Sequence, residues 1–530
     1  MLLKSSIFYI IICFFFLACA QVVAPTGGIK DTTPPSTLII SPENSTINFT
    51  SKTIEIEFDE FVRLNQLNDE LIVSPPLANK ITTKLKGKKL IIELNDTLKE
   101  NTTYVLNFGN AIVDVNESNE LESFQYVFST GPLIDSLSVA GAIVDAFSLA
   151  PEKEVLVMLY DDLTNDSIPY LKLPTYISRA DDQGKFKITN IAEGNYKLFA
   201  LIDGNKNYLY DQPAEKIGFI SELLSINKSI DSIKVHVFEE ERSKQYVEKQ
   251  AIKNNTLTLS FNEKLDSFTF AGIDTSLKSV LLSYQLNSAR DSALFWWKEV
   301  DELKVRMEIT DGIKFTDTIK FKIDSLPKKS QLKLETSLSK KHQYFRPISL
   351  KFNRPIQSID TSFIQLLNSD STAVNYSIKK DSSNQQVLSL SFKAEEDSTY
   401  EVAILPNAFI DIYNRTTDSI SSKIQFDTPS DYGQLKVKVN TNISSIARLI
   451  QLTDANGKLL KEQNLEDFQT TFYHLKPGKY RLKLIVDENN NGKWDPGKYL
   501  KNKQAEKVIL YDEDINLRSN WDQEIEWILK

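Results

Sequence analysis

Thr53-Ile-Glu-Ile-Glu-Phe58 alternates an apolar residue with a polar or charged one, in step with the two-residue period of a β-strand. A strand of this kind buries one face and wets the other. Working outward, Leu90-Ile-Ile-Glu-Leu94 and Tyr104-Val-Leu-Asn-Phe108 follow at strand-like spacing, separated by clusters of Asn, Asp, Gly, Ser and Pro. The same texture continues to the C-terminus, and almost no stretch carries a long 3.6-residue period. The fold class is therefore all-β, and Asp31 to Gly131 has the length of one sandwich, about 100 residues. One run stands apart: the dense charge of Glu239 to Lys249 suits a short helix or an exposed linker.

Internal repeats organise the rest. Gly194-Asn-Tyr-Lys-Leu-Phe-Ala-Leu-Ile-Asp203 and the loop after it, to Asp211, align without a gap against Gly478-Lys-Tyr-Arg-Leu-Lys-Leu-Ile-Val-Asp487 and its loop to Asp495. A looser pair matches Thr102-Thr-Tyr104 through Asp114 with Ser398-Thr-Tyr400 through Asp411. Each of these runs on to a closing strand, Tyr126-Val-Phe-Ser-Thr130 and Ile424-Gln-Phe-Asp-Thr428. The expected order is a tandem array of five sandwiches over 31–131, 138–226, 230–329, 331–429 and 433–530, in which the fourth repeats the first and the fifth repeats the second.

A chain of 530 residues exceeds what one hydrophobic core supports, in agreement with several domains. Its 41% hydrophobic and 25% charged residues are ordinary for a globular protein, and a net charge of -9 provides no basic field for a phosphate backbone. Nucleic acid is excluded as an expected partner. The two cysteines, Cys13 and Cys19, both lie near the N-terminus. Lys4, the apolar stretch Ile7 to Leu17 and the small residues Ala18, Cys19 and Ala20 read as a signal peptide over 1–18, too short an apolar run to span a bilayer. Residues 19–30, polar and containing Gly and Pro, read as a flexible tether.

Phe16-Leu17-Ala18-Cys19 resembles the lipobox of bacterial lipoproteins, although Phe16 stands where leucine is usual. The resemblance implies a diacylglycerol and acyl modification on Cys19 and a membrane reached through that lipid. Asp31-Thr-Thr-Pro-Pro35, Ser41-Pro42, Ile54 to Glu60, Val73-Ser-Pro75 and Asn110-Ala-Ile-Val-Asp114 resemble the bacterial Ig-like domain of S-layer proteins. The segments 138–226 and 433–530, with Gly184-Lys-Phe-Lys-Ile188 ahead of Gly194-Asn-Tyr196, resemble the transthyretin-like or carboxypeptidase-regulatory-like sandwich. Together these features are similar to the Ig-like-domain lipoproteins of Bacteroidota. The fold implied is a tandem array of Ig-like and transthyretin-like β-sandwiches, with 230–329 a sandwich of uncertain type.

Two loops carry the clearest chemistry. Asp487, Asn489, Asn491 and Asp495 occupy alternate positions with Gly492 at the sixth, the arrangement that wraps hard oxygen ligands around calcium, and the carbonyl of Lys493 adds one more. The first loop offers Asp203, Asn205, Asn207 and Asp211 with the carbonyl of Leu209. Neither has an acid at the twelfth position, which is Ala214 in one and Lys498 in the other; Glu215 and Glu506 are the candidates to supply it. The same residue types also build an Asx turn between two strands, and both readings stay open.

Catalysis finds little support, since His236, His342 and His474 fall in separate segments. Acid pairs such as Asp59-Glu60, Asp161-Asp162 and Glu239-Glu-Glu241 read as solvated charge rather than a glycosidase pair. Trp296 and Trp297 are candidates for an aromatic contact surface, with one of the two expected to be exposed. No small-molecule substrate is indicated. The expected function is a non-enzymatic outer-membrane lipoprotein, a modular scaffold or accessory subunit of a complex that assembles or exports outer-membrane proteins, with an envelope or outer-membrane protein as partner. The alternative is a surface glycan-binding or adhesive module. Acids beside the lipidated cysteine mark surface export in Bacteroidota, and Ala20-Gln-Val-Val-Ala24 has none, which favours the periplasmic face.

Overall fold

The computed structural model describes residues 30–241, 244–273, 277–300, 302–313, 315–324, 331–395, 398–440 and 447–529. Cys19, the signal peptide and all but the last residue of the tether lie outside them. The chain forms two compact units: one from residues up to Asp145 with Ala150–Val237, the other from Ala146–Leu149 with Phe238 onward. Among the described residues, the regular structure of both is almost wholly strand, and helix is confined to short turns such as Leu67–Glu70 and Ile168–Leu171. Among the described residues, no helix is long and apolar enough to cross a membrane.

In the first unit, Thr37–Ser41, Thr53–Phe58, Lys89–Glu93 and Thr82–Lys86 form one sheet in that order, and Ile72–Ser74, Thr103–Asn107 and Gln125–Ser129 form another. The alternation that singled out Thr53–Phe58 is realised, because Ile54, Ile56 and Phe58 all point into the core and are fully buried. Each such side chain contributes about 1.5–3 kcal/mol of transfer free energy. Leu90, Ile92, Tyr104, Leu106, Tyr126 and Phe128 complete that core.

The sandwich that follows departs from the expected boundary. Ile230–Glu239, assigned above to the third segment, pairs in parallel with Leu137–Asp145, and Val235 and Val237 lie in the core with Val139 and Ile143. Period-two alternation identifies a strand but says nothing about which neighbour it joins. Gly141 makes the pairing possible: a Cβ there would lie 1.9 Å from the Ile233 carbonyl oxygen. In the charged run Glu239 to Lys249, Glu239 ends this strand and Val247–Lys253 is the first strand of the next sheet, while the described residues between them form neither helix nor strand.

The described residues of the second unit form three large cores and a small cluster of Leu449, Ile485 and Val508. Val247–Lys253, Thr256–Phe261, Ser292–Trp297 and Leu281–Leu286 face Phe268–Gly272, Glu302–Asp311 and Phe315–Asp324 around Leu259, Phe295, Trp297 and Met307. Next, Lys341–His342, Ile420–Phe426, Thr399–Ile404 and Ile364–Leu367 face Ile348–Lys351, Val387–Phe392 and Tyr376–Lys380 around Leu350, Leu388, Tyr400 and Val402. The last core is built on Gly433–Asn440, which pairs in parallel with the final strand Asp522–Ile528 and antiparallel with Gln469–Leu475. That arrangement repeats the one around Leu137–Asp145, which pairs in parallel with Ile230–Glu239 and antiparallel with Lys185–Ile191.

The aligned tyrosines carry the duplication down to single hydrogen bonds. The Tyr104 hydroxyl accepts from the Lys99 amide at 2.8 Å and the Tyr400 hydroxyl from the Glu395 amide at 2.7 Å, five residues back in both cases. Tyr196 and Tyr480 instead donate four residues back, to the carbonyls of Ala192 and Lys476. A buried aromatic body with its polar tip tied to the preceding turn fixes where the strand begins.

Candidate functional site

Each Asp/Asn loop leaves the end of a long central strand, Gly194–Ile202 in one unit and Gly478–Asp487 in the other. In the first, Asp203 accepts the amides of Lys206 and Tyr208, both at 2.7 Å. In the second, Asp487 accepts the amides of Asn491 and Gly492 at 3.1 and 2.7 Å. Asn205 and Asn207 then donate to the Asp211 carboxylate, and Asn489 and Asn491 donate in the same way to Asp495. The two loops thus share one wiring diagram.

Their backbones agree as well. The fourth position is left-handed in both, Lys206 at φ 59° and Asn490 at φ 57°, and so is the sixth, Tyr208 at φ 63° and Gly492 at φ 76°. The tyrosine that breaks the glycine pattern therefore still adopts the conformation, at a cost of about 1–2 kcal/mol that the bond from its amide to Asp203 helps to offset.

Each loop is closed from below by a glutamate. Glu215 and Glu506 are both 2% exposed, unusual burial for a carboxylate. Glu215 accepts the Gly204, Asp211 and Gln212 amides at 3.1, 3.0 and 2.9 Å. Glu506 accepts the Glu488 and Asp495 amides, both at 2.9 Å. Gly204 and Glu488 stand second in their loops, and Asp211 and Asp495 stand ninth, so the two glutamates occupy equivalent places. Burial pushes the Glu506 carboxyl above its ordinary value despite those two amides. Burial also opposes ionisation of Asp495, but hydrogen bonds from Asn489 and the charge of Lys493 bring its carboxyl below the usual range; Asn207 does the same for Asp211.

The donor set is entirely oxygen: carboxylates, side-chain amides and backbone carbonyls, the ligands of a hard divalent cation. A half-turn of each Asn amide exchanges its nitrogen for its oxygen at nearly the same point. Turning them over aims oxygen at a cation beside the aspartate, but for Asn207, Asn489 and Asn491 it gives up the backbone amide that the side-chain oxygen accepts, from Leu209, Asn491 and Lys493 in turn. The carbonyls of Leu209 and Lys493 sit at the seventh position of their loops. Among the described residues, no group of three or more His, Cys, Asp or Glu side chains is gathered as a metal cluster.

The second loop is also packed from outside. Trp494 donates its indole N–H to the Glu506 carbonyl at 2.9 Å, and the Phe147 ring lies 5.0 Å from it. Lys493 pairs with Glu241 at 3.4 Å, while Glu240 accepts the Tyr499 amide. Two of the three residues read as solvated acids are thus engaged with this sandwich.

The tryptophans depart from expectation. Trp296 and Trp297 are each only 1% exposed. Trp297 enters the core, and the other side of the same sheet is covered too: Gln285 accepts the Gln385 amide at 2.8 Å, and Tyr413 donates to the Trp297 carbonyl at 2.9 Å. The three histidines stay in separate surroundings. His236 lies in the strand Ile230–Glu239, His342 approaches the Leu338 carbonyl, and His474 stacks on Phe345 at 3.8 Å. Asp59 is bound by Ser36, and Asp162 by Thr164 and Lys172.

No curated protein matches the chain. Among solved structures, it is similar to the major pilin subunit BcpA of Bacillus cereus at 9% identity, covering 75% of this chain and 99% of that one with a TM-score of 0.14. It is similar to domains 1–6 of the surface layer protein SbsC at 11% identity, covering 92% and 67% with a TM-score of 0.15. It is also similar to the Bacteroides ovatus glucan-utilisation protein SGBP-B, in complex with a mixed-linkage heptasaccharide, at 9% identity, covering 63% and 86% with a TM-score of 0.18. Residues 31–130 match the family model of the bacterial Ig-like domain, and they are the residues that form the first two facing sheets.

Proposed function

We propose that the chain is a non-enzymatic lipoprotein, anchored to the outer membrane through Cys19, that serves as a modular scaffold or accessory subunit of a complex assembling or exporting outer-membrane proteins. The observation that carries this reading is the form of the chain after Asp31: a tandem series of sandwiches, each with its own core. Such an array spaces surfaces apart and presents them. Burial of Trp296 and Trp297 takes away the two aromatics singled out for the surface glycan-binding or adhesive alternative, which then falls to exposed rings elsewhere such as Tyr473 and Trp521. Acid-free Ala20 to Ala24 favours the periplasmic face.

Calcium belongs to the same proposal as a stiffener of the two Asp/Asn loops, with Glu215 and Glu506 holding the loop backbone beneath the ligands. Affinity purification of the tagged chain from membranes, read by mass spectrometry, tests the scaffold role. Recovery of an integral barrel protein supports it, and recovery of no partner overturns it. Protease resistance on intact cells places the chain inside. Titration calorimetry on the full chain tests the loops: calcium heat that disappears in Asp487→Ala plus Asp203→Ala supports binding, and no heat at millimolar calcium returns both loops to plain turns.

A further inference from the structure

The first unit holds a cavity of about 740 Å³, within the range of small-molecule sites. One wall is apolar: Leu67, Leu71 and Leu77, which also pack on the core of the first sandwich, together with Leu156. Arg179, the last residue of the strand Tyr176–Arg179, also lines the cavity and stands beside Leu156 in the register. That strand is held against the first sandwich by a hydrogen bond from the Ile177 amide to the buried Ser74 hydroxyl, 3.1 Å long.

Arg179 is the unusual member of the lining. Its Nε is buried and has no hydrogen-bond partner among the described residues. A buried donor left unpaired costs about 1–3 kcal/mol, and more when it is charged. No nearby acid bonds that Nε, although the Arg179 charge acts on Asp69. Asp69 is paired with Lys206, Asp203 is taken up by loop amides, Glu70 accepts the Asn110 amide at 3.3 Å, and Glu154 is exposed. A guanidinium presents a planar fork of donors that matches a carboxylate.

We propose that this cavity binds a small amphipathic carboxylate, with its oxygens on the Arg179 guanidinium and its apolar part against Leu67, Leu71, Leu77 and Leu156. Two sources share that chemistry: an alkyl-chain acid and the C-terminal end of an apolar peptide. The inference stands apart from the scaffold role, but Asp203, Asn205 and Asn207 of the first Asp/Asn loop line the same cavity.

Calorimetry on the full chain, in chelator so that no metal takes part, tests it with four probes: decanoate, decanol, Leu-Leu-Leu with a free carboxyl, and the same tripeptide as its amide. Binding of decanoate alone identifies an alkyl acid, binding of the tripeptide acid alone identifies a peptide end, and binding of both supports the shared chemistry. In each case the neutral analogue should bind at least about tenfold more weakly, the effect of one charge-assisted hydrogen bond. Arg179→Met should weaken the acid by about 10- to 100-fold while leaving the melting temperature of the ligand-free chain unchanged or raised, since an unpaired donor has been removed. Ala78→Trp, which fills the cavity and keeps Arg179, should abolish binding. No heat from either acid at millimolar concentration overturns the proposal. So does Arg179→Met that binds like the native chain, or that lowers the melting temperature without changing binding.

Discussion

Glu506→Ala asks whether the second Asp/Asn loop is held by its buried carboxylate or by its own turn. Glu506 accepts two amides at 2.9 Å, from Glu488 and Asp495, and is nearly inaccessible to water. Alanine leaves both N–H groups without their acceptor. A hydrogen bond to a charged group is worth about 1.5–3 kcal/mol, so the two together contribute about 3–6 kcal/mol. Water entering the vacated space recovers part of that, which leaves about 3 kcal/mol against closure of the loop. At about 1.4 kcal/mol per decade, amide protection across 487–495 should fall about a hundredfold in hydrogen exchange read by mass spectrometry. Protection within the strand Gly478–Asp487 should hold, because its ladder to Ala447–Asp454 is untouched. Glu506→Gln keeps one acceptor oxygen, so its loss should be about tenfold. Glu215→Ala removes three such bonds and should loosen the first loop at least as much. If both Glu506 variants keep native protection, the carboxylate is not what closes the loop and the reasoning fails.

Gly141→Ala places a Cβ 1.9 Å from the Ile233 carbonyl oxygen and should cost about 3 kcal/mol by forcing apart Leu137–Asp145 and Ile230–Glu239; an unshifted melting temperature would mean the parallel pairing is wrong. Arg354→Ala breaks the 3.1 Å pair with Asp411, whose side chains are 4% and 0% exposed, and should lose about 3–5 kcal/mol in urea unfolding; a loss below about 1 kcal/mol would contradict the buried-pair reading. Tyr400→Phe and Tyr104→Phe each remove one bond to a backbone amide and should each cost about 1 kcal/mol, or about 4–8 °C in the transition of the sandwich concerned, with unequal losses arguing against equivalence. Burial pushes the Tyr126 phenol from 10.0 to about 12. The folded state thus favours the protonated form, so its contribution is complete below pH 10 and is lost as pH rises from 10 toward 12, by about 2–3 kcal/mol. Alkaline unfolding followed by tyrosinate absorbance should be shallower in Tyr126→Phe, and identical profiles would sink the assignment.

Strands were legible in this chain because alternation is a local signal. Ile54, Ile56 and Phe58 announce their shared face within six residues, and the structure buries all three. Partnership is not local. Ile230–Glu239 reads equally well as the opening of one sandwich or the close of another, and only its parallel pairing with Leu137–Asp145 decides. The duplication held the clue, since Asp522–Ile528 closes the fifth segment and makes the same parallel pair with Gly433–Asn440. Trp296 failed for a related reason. A two-residue period says that one of two neighbouring side chains faces the core; whether a second surface covers the other depends on residues such as Gln385 and Tyr413, about 90 to 120 positions away.

The Asp/Asn loops show both limits together. Their alternating oxygen donors were visible because a tight loop places every second side chain on its inner side, so spacing is geometry. The closing acid is missing from the twelfth position, and Glu215 and Glu506 were legible only as candidates to replace it, not as acceptors of the loop's own amides. Glu215 lies four residues beyond Asp211, whereas Glu506 lies eleven beyond Asp495, because the second loop is followed by the turn Tyr499–Lys501 before the chain returns. Alignment by position therefore separates two residues that do the same work on the same pair of amides. What selects them is not spacing but the requirement that the second and ninth amides of the loop find an acceptor where water does not reach. A buried glutamate reached from the returning strand meets that requirement at either loop length, which is why the wiring survived when the sequence between its ends did not.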